Sequence, residues 1–204
     1  MTISDLEMTL TEPLDSRRKP VMSEQFQKLP IDLQSFEIIR EEGFLYVDKT
    51  RYIYQMLEEG RYYFMARPRR FGKTLMVSVL RNLFAGNRAL FDGLWIAAHG
   101  NWQWQSFPVV VLDFNAISHD TPENLTLDLS IALERIALES GIVLSHPLLK
   151  GKFQQLVLEL HRQSNQPVVV LIDEYDKPII DHLGKGEPAL EIARANRDIL
   201  KAFL

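Results

Sequence analysis

Gly72-Lys73-Thr74 joins a permissive backbone, a cation and a hydroxyl at a point where a short apolar run gives way to a helical pattern. Glycine lets the backbone approach a ligand with no Cβ in the way. A helix that starts there turns unpaired N–H groups and its positive dipole end toward the ligand, and a tight preceding loop adds more. Those features suit the polyphosphate tail of a nucleoside triphosphate such as ATP. Lys73 would reach the β and γ oxygens, and the Thr74 hydroxyl would ligate Mg2+. The loop before it is Arg67-Pro68-Arg69-Arg70-Phe71, so the candidate nucleotide-binding set runs from Arg67 through Gly72, Lys73 and Thr74 to Leu75. Arg67 stands where the usual phosphate loop has its first glycine, and Pro68 stiffens the turn. Read without the rest of the chain, the tripeptide is also compatible with a chance match, and the arginines with a solvated turn.

A second group of residues favours the nucleotide reading. Asp173 and Glu174 stand one hundred and one hundred and one residues after Lys73, at the end of the apolar run Val168-Val-Val-Leu-Ile172. A buried strand ending in two acids, the Walker B pattern that complements the Walker A loop, brings Asp173 to the Mg2+ bound by Thr74. Glu174 is then placed to orient or deprotonate an attacking water, so Glu174 and Lys73 are the candidate catalytic residues. A catalytic acid directly after the Asp favours hydrolysis over transfer to a substrate hydroxyl. Asn115, just past the preceding strand, is either a hydrogen-bond partner that holds Glu174 off line or an ordinary turn residue.

The elements that must carry these residues are legible in outline. Arg61–Ala66 reads as the short strand before the loop. Met76, Val79, Leu80, Leu83 and Phe84 give the following helix its apolar stripe, closed at Gly86. Pro108–Asp113 and Pro167–Asp173 are near-continuous apolar runs, as in parallel strands covered on both faces. Thr121-Pro122 opens a helix to about Ser140, with Leu125, Leu129, Ala132, Leu133 and Ile136 as its stripe. Further helices are predicted over 148–164, with Phe153, Leu156, Val157 and Leu160 inward, and over 188–204. Nearer the N-terminus, Asp32 is expected to cap a helix to about Glu42, Phe44–Val47 reads as extended, and Asp48 to cap a second helix ended by Gly60. Strands separated by helices predict an α/β fold with helices on both faces of a mostly parallel sheet. Trp95, Trp102 and Trp104 occupy the connection 87–106, either as a stacking surface for a base or as core.

Composition removes several other chemistries. With no cysteine, a disulfide scaffold, a thiolate-ligated metal and a thiol nucleophile are excluded. The five histidines lack metal-ligand spacing. No apolar stretch is long enough to cross a bilayer, and the polar start has no secretory signal, so a cytoplasmic location is expected. A net charge of −4 gives no general attraction to nucleic acid, which leaves any such contact to the local arginine cluster.

From about Leu29 onward the sequence resembles the predicted AAA-ATPase-like family of prokaryotes. The marks are YVDKT at 46–50, RPRRFGKT at 67–74 and LIDEYDKPI at 171–179. Arg67 in place of the first loop glycine belongs to that family's pattern. The resemblance implies a three-layer P-loop NTPase domain of the additional-strand, catalytic-glutamate division. In matching positions, Lys73 and Thr74 are the phosphate and Mg2+ residues, Asp173 the second metal contact and Glu174 the catalytic acid. It also implies a nuclease-like domain commonly following in the same chain. No nuclease signature occurs here; the nearest match, Asp173-Glu174-Tyr-Asp-Lys177, has the wrong spacing. Tyr46, Asp48 and Lys49 either line the nucleotide site or, for Asp48, cap a helix.

Residues 1–28 are expected to form a solvated leader, and 29–204 the N-terminal portion of the ATPase domain. In that division two further strands follow the Asp-Glu strand, so a sheet with a gap and weak hydrolysis are expected for this piece. A regulatory nucleotide-binding module with little turnover, and a nucleic-acid-associated ATPase, are the competing functions.

Overall fold

The computed structural model describes residues 27–66 and 71–203. Two parallel strands, β1 (Val109–Asp113) and β2 (Val169–Asp173), pair in register from Val109↔Val169 to Asp113↔Asp173. Successive side chains of a strand point to opposite faces. Val110, Leu112, Val168, Val170 and Ile172 accordingly enter one cluster with α5 (Pro122–Glu139), α6 (Leu149–Ser164) and α8 (Glu187–Phe203). Asp113 and Asp173 fall on the other face. There α3 (Lys73–Phe84) packs against both strands and belongs to a separate cluster. The fold is thus α/β, with helices on the two sides of a two-stranded parallel sheet among the described residues. The interior of β2 is only half-buried, since no strand among the described residues covers its outer edge.

The helices follow the sequence pattern closely. Thr121 caps α5, its hydroxyl accepting the Asn124 N–H, with Pro122 as the first helical residue. Leu125, Leu129, Ala132, Leu133 and Ala137 are buried, and Ile136 packs at the edge of the same cluster. In α6, Leu156 and Leu160 are buried with Phe153 against them, and its last turn ends on a left-handed Asn165.

The second cluster is built around α1 (Phe36–Glu41), α2 (Thr50–Glu59), α3 and the short α4 (Trp95–His99). The sequence does not separate α4 from its connection. The cap of α1 is Ser35, whose hydroxyl accepts the Ile38 N–H, and not Asp32, which lies in a left-handed turn before the helix. The Phe36 N–H donates to the Ser78 hydroxyl at 2.9 Å and fixes α1 to α3. Trp102 meets Phe84 edge-on, and Trp104 packs on Phe91 in the same cluster. These tryptophans are partly buried and pack against the core. Phe44–Val47 joins no strand, and residues 1–26 of the expected leader lie outside the described residues.

One expected element is absent. Residues 62–66 take no strand pairing, Tyr62 is 97% exposed and Phe64 is largely exposed. A strand needs a ladder partner, and among the described residues the ladder joins β1 and β2 to each other and not to this segment. Phe64 still reaches the sheet end, where its ring meets Tyr175 edge-on at 5.8 Å.

Candidate active site

The site forms where α3 begins and β2 ends. Gly72 precedes the first turn of α3 with φ 75° and ψ 29°, a left-handed conformation that glycine adopts without a Cβ penalty. A Cβ at Gly72 would meet no described atom within 4 Å, so the requirement for glycine at this turn is conformational. Lys73 and Thr74 follow as the first two helical residues, half-buried at the N-terminal end of the helix dipole. Phe71 is exposed, and Leu75 packs into the α1–α4 cluster. Arg67, Pro68, Arg69 and Arg70 lie outside the described residues.

At the other side, β2 delivers Asp173 and then breaks. Asp173 is only 4% exposed, and its Oδ2 has no hydrogen-bond partner among the described residues. Glu174 leaves the strand through a left-handed backbone with φ 52°, unusual for a glutamate. Its carboxylate meets Lys73, with Nζ to Oε1 at 3.3 Å. The structure therefore brings Lys73, Thr74, Asp173 and Glu174 to one region through two elements distant in sequence. Among the described residues no group of three or more His, Asp or Glu side chains is arranged to hold a metal by itself.

Asn115 does not reach Glu174. Its N–H and its side-chain Nδ2 both donate to Asp113 Oδ1, at 2.8 and 3.0 Å, closing an Asx turn after β1. The local bond wins because the acceptor is two residues away and costs little chain entropy.

Asp48 has a clear structural position. One carboxylate oxygen accepts the Thr50 N–H at 2.8 Å and the other the Trp95 N–H at 2.6 Å. The buried Thr50 hydroxyl accepts the Ile96 N–H at 3.1 Å. Asp48 thus joins the N-termini of α2 and α4, where a negative charge is favoured. Burial raises its pKa, but the Trp95 and Thr50 N–H groups, with the Arg40 charge, outweigh that and leave it lowered. Tyr46 packs edge-on to Phe36, and burial followed by the Asp48 charge pushes its hydroxyl up to about 12. Lys49 is the exposed residue preceding α2.

A polar cluster that sequence reasoning missed lies just beyond Glu174. Asn196 of α8, fully buried, donates through Nδ2 to the carbonyls of His119 and Pro178, both at 2.9 Å. Asp181 accepts from Lys177 Nζ at 3.0 Å and faces His119 Nε2 at 3.2 Å. The Lys177 hydrogen bond lowers the Asp181 pKa, with burial working against it and His119 adding to it. These bonds pin α7 (Lys177–Ile180) to α8 and to the segment after β1. An asparagine inside an apolar stripe was the available signal.

No solved structure matches this chain. It is 39% identical over 175 residues to an uncharacterized protein in the vnfD 5′ region of Azotobacter chroococcum mcd 1, covering 85% of this chain and 34% of that protein. The chain thus spans about a third of the length of that relative. The family described as Predicted AAA-ATPase matches residues 30–204. That match takes in the start of α3, the end of β2 and the helices that hold them, and it makes the chain a member of the predicted AAA-ATPase family.

Proposed function

We propose that the chain binds ATP with Mg2+ through Lys73, Thr74, Asp173 and Glu174 and hydrolyses it to drive an attached domain. The observation that carries this reading is Asp173. A buried carboxylate oxygen without a donor is costly, and the cost is relieved when a cation sits against it. Mg2+ is commonly held by one or two protein groups together with phosphate oxygens and water. A lone buried Asp near a threonine at a helix start fits such an ion, and the lack of a fuller ligand cluster among the described residues fits it equally.

In this reading the Thr74 hydroxyl and Asp173 hold the ion. The bound ion neutralises charge that builds on the phosphate oxygens. Lys73 and the α3 N-terminus hold the β and γ oxygens by charge and by N–H donation. Glu174 takes the proton of the attacking water. The arginines 67, 69 and 70 add cationic groups for the same phosphates. Around the site we propose the three-layer P-loop architecture, its sheet completed by strands beyond β1 and β2. The attached domain is nuclease-like in the family this chain resembles, and a relative about three times the matched length leaves room for one. Nucleic acid would then be reached through that domain, given a net charge of −4 on this chain.

The test is turnover and binding in three proteins. Lys73→Ala should abolish nucleotide binding. Glu174→Gln should keep nucleotide binding and lose turnover by at least about 100-fold. Hydrolysis by Glu174→Gln at the wild-type rate would remove Glu174 from the chemistry. The ion pair that holds Glu174 on Lys73 also suits a nucleotide-binding regulatory module, and tight binding with equal, near-background turnover in both proteins selects that reading.

A further inference from the structure

We propose that Glu174 is an internal competitor for the anion seat at Lys73, so that linked phosphates enter this site by displacing a carboxylate. The inference rests on the nucleotide reading for the place where phosphates bind. It adds what sets their affinity and which anions are accepted.

Three observations carry it. Lys73 Nζ and Glu174 Oε1 are 3.3 Å apart, and both side chains are roughly four-fifths buried, 21% and 18% exposed. A pair so sheltered is screened less than a surface ion pair. Second, the strand ends at Asp173 and Glu174 takes a left-handed backbone, an arrangement that glutamate adopts only when the surroundings hold it there. Third, Lys73 stands at the first turn of α3, where helix N–H groups and the dipole already favour an anion. Within the described residues, the carboxylate of Glu174 is the anion that occupies that position.

An ammonium carries donors and no acceptor, so its ion-pair partner is decided by charge and reach. A singly charged anion gains little at Lys73 beyond what Glu174 already supplies. A diphosphate or triphosphate brings several charges and also meets the helix N-terminus, so it takes Lys73 and releases Glu174. The released carboxylate is then free to accept a proton from water. While Lys73 holds it, the base is disarmed. Apparent affinity falls in proportion to the fraction of time that the pair is closed.

The experiment titrates inorganic tripolyphosphate, orthophosphate and ADP by calorimetry into the wild-type chain, Glu174→Gln, Glu174→Asp and Lys73→Ala. None of these ligands requires hydrolysis to be observed. Both Glu174 variants should bind ADP and tripolyphosphate about fivefold more tightly than wild type, with orthophosphate weak throughout. Glu174→Asp keeps the negative charge on a shorter arm, so tightening there reflects the lost pair and not lost repulsion. Tightening in Glu174→Gln alone, or wild-type affinity in both, overturns the exchange. If wild type binds, Lys73→Ala does not, and the Glu174 variants match wild type, the nucleotide reading stands and this inference fails. If no protein binds ADP or tripolyphosphate, both fail. Circular dichroism checks each fold, and Glu174→Asp carries the test should Glu174→Gln not fold.

Discussion

A carboxylate that is 4% exposed, with one oxygen lacking a donor, is held against its solvation preference by the rest of the fold. Asp173→Asn keeps the shape and removes the charge, so the ligand-free chain should gain about 1–2 kcal/mol in urea unfolding. A loss of stability would show that the carboxylate is satisfied as it stands. Asp48 predicts the opposite sign. It serves two helix N-termini at once, and Asp48→Ala should lose about 1–3 kcal/mol, read from the same unfolding curves. Its pKa is lowered in the folded chain, so its contribution is fully present above the ordinary aspartate value near 4. It is lost as pH falls through the lower folded value. Asp48→Asn should therefore flatten the acid limb of a stability–pH profile, and an unchanged limb would contradict the bridging role. The first Asp48 bond was legible in the sequence, because the acceptor lies two residues from Thr50. The second was not, since Trp95 is 47 positions away.

At the scale of elements, what was legible is what local patterning determines. The α5 stripe, its Thr121-Pro122 start and the β1 and β2 runs follow from hydrophobic period and cap chemistry within a few residues. The start of α3 at Gly72 was equally local, a left-handed turn opening a periodic run. The expected strand over 61–66 failed because pairing is not a local property. Its run of aromatics, Tyr62-Tyr63-Phe64, suits a strand by propensity, yet no ladder partner among the described residues meets it. Asn115 was ambiguous in sequence between Glu174 and a turn, and the nearer acceptor, Asp113, took it. Asn196 shows the converse case, a buried polar residue on α8 whose two partners lie in α7 and in the segment after β1. Asn196→Ala leaves the Pro178 carbonyl without its donor and should cost about 1–3 kcal/mol, measured by thermal unfolding. Leu133→Ala, in the centre of the α5 cluster, should cost about 2–5 kcal/mol by the same measurement.

Taken as a whole, the described molecule holds two hydrophobic clusters, one beneath the sheet and one around α1 to α4, with the candidate site where α3 begins and β2 ends. No helix among the described residues is long and apolar enough to cross a membrane. Membership of the predicted AAA-ATPase family gives the chain its class, and the site gives that class a physical content. If β2 is one interior strand of a larger sheet, as we propose, the 204-residue chain should bind nucleotide well and turn it over slowly. Joining it to the remainder of a full-length relative should raise turnover, and equal turnover would show that the site is already complete. The central claim, that Asp173 and Thr74 hold a divalent ion brought with a nucleotide, is tested most directly by the Mg2+ dependence of ADP binding. Calorimetry with and without Mg2+, on wild type and Asp173→Asn, should show about tenfold tighter binding with the ion in wild type and a much smaller effect in the variant. The same Mg2+ dependence in both proteins would contradict it.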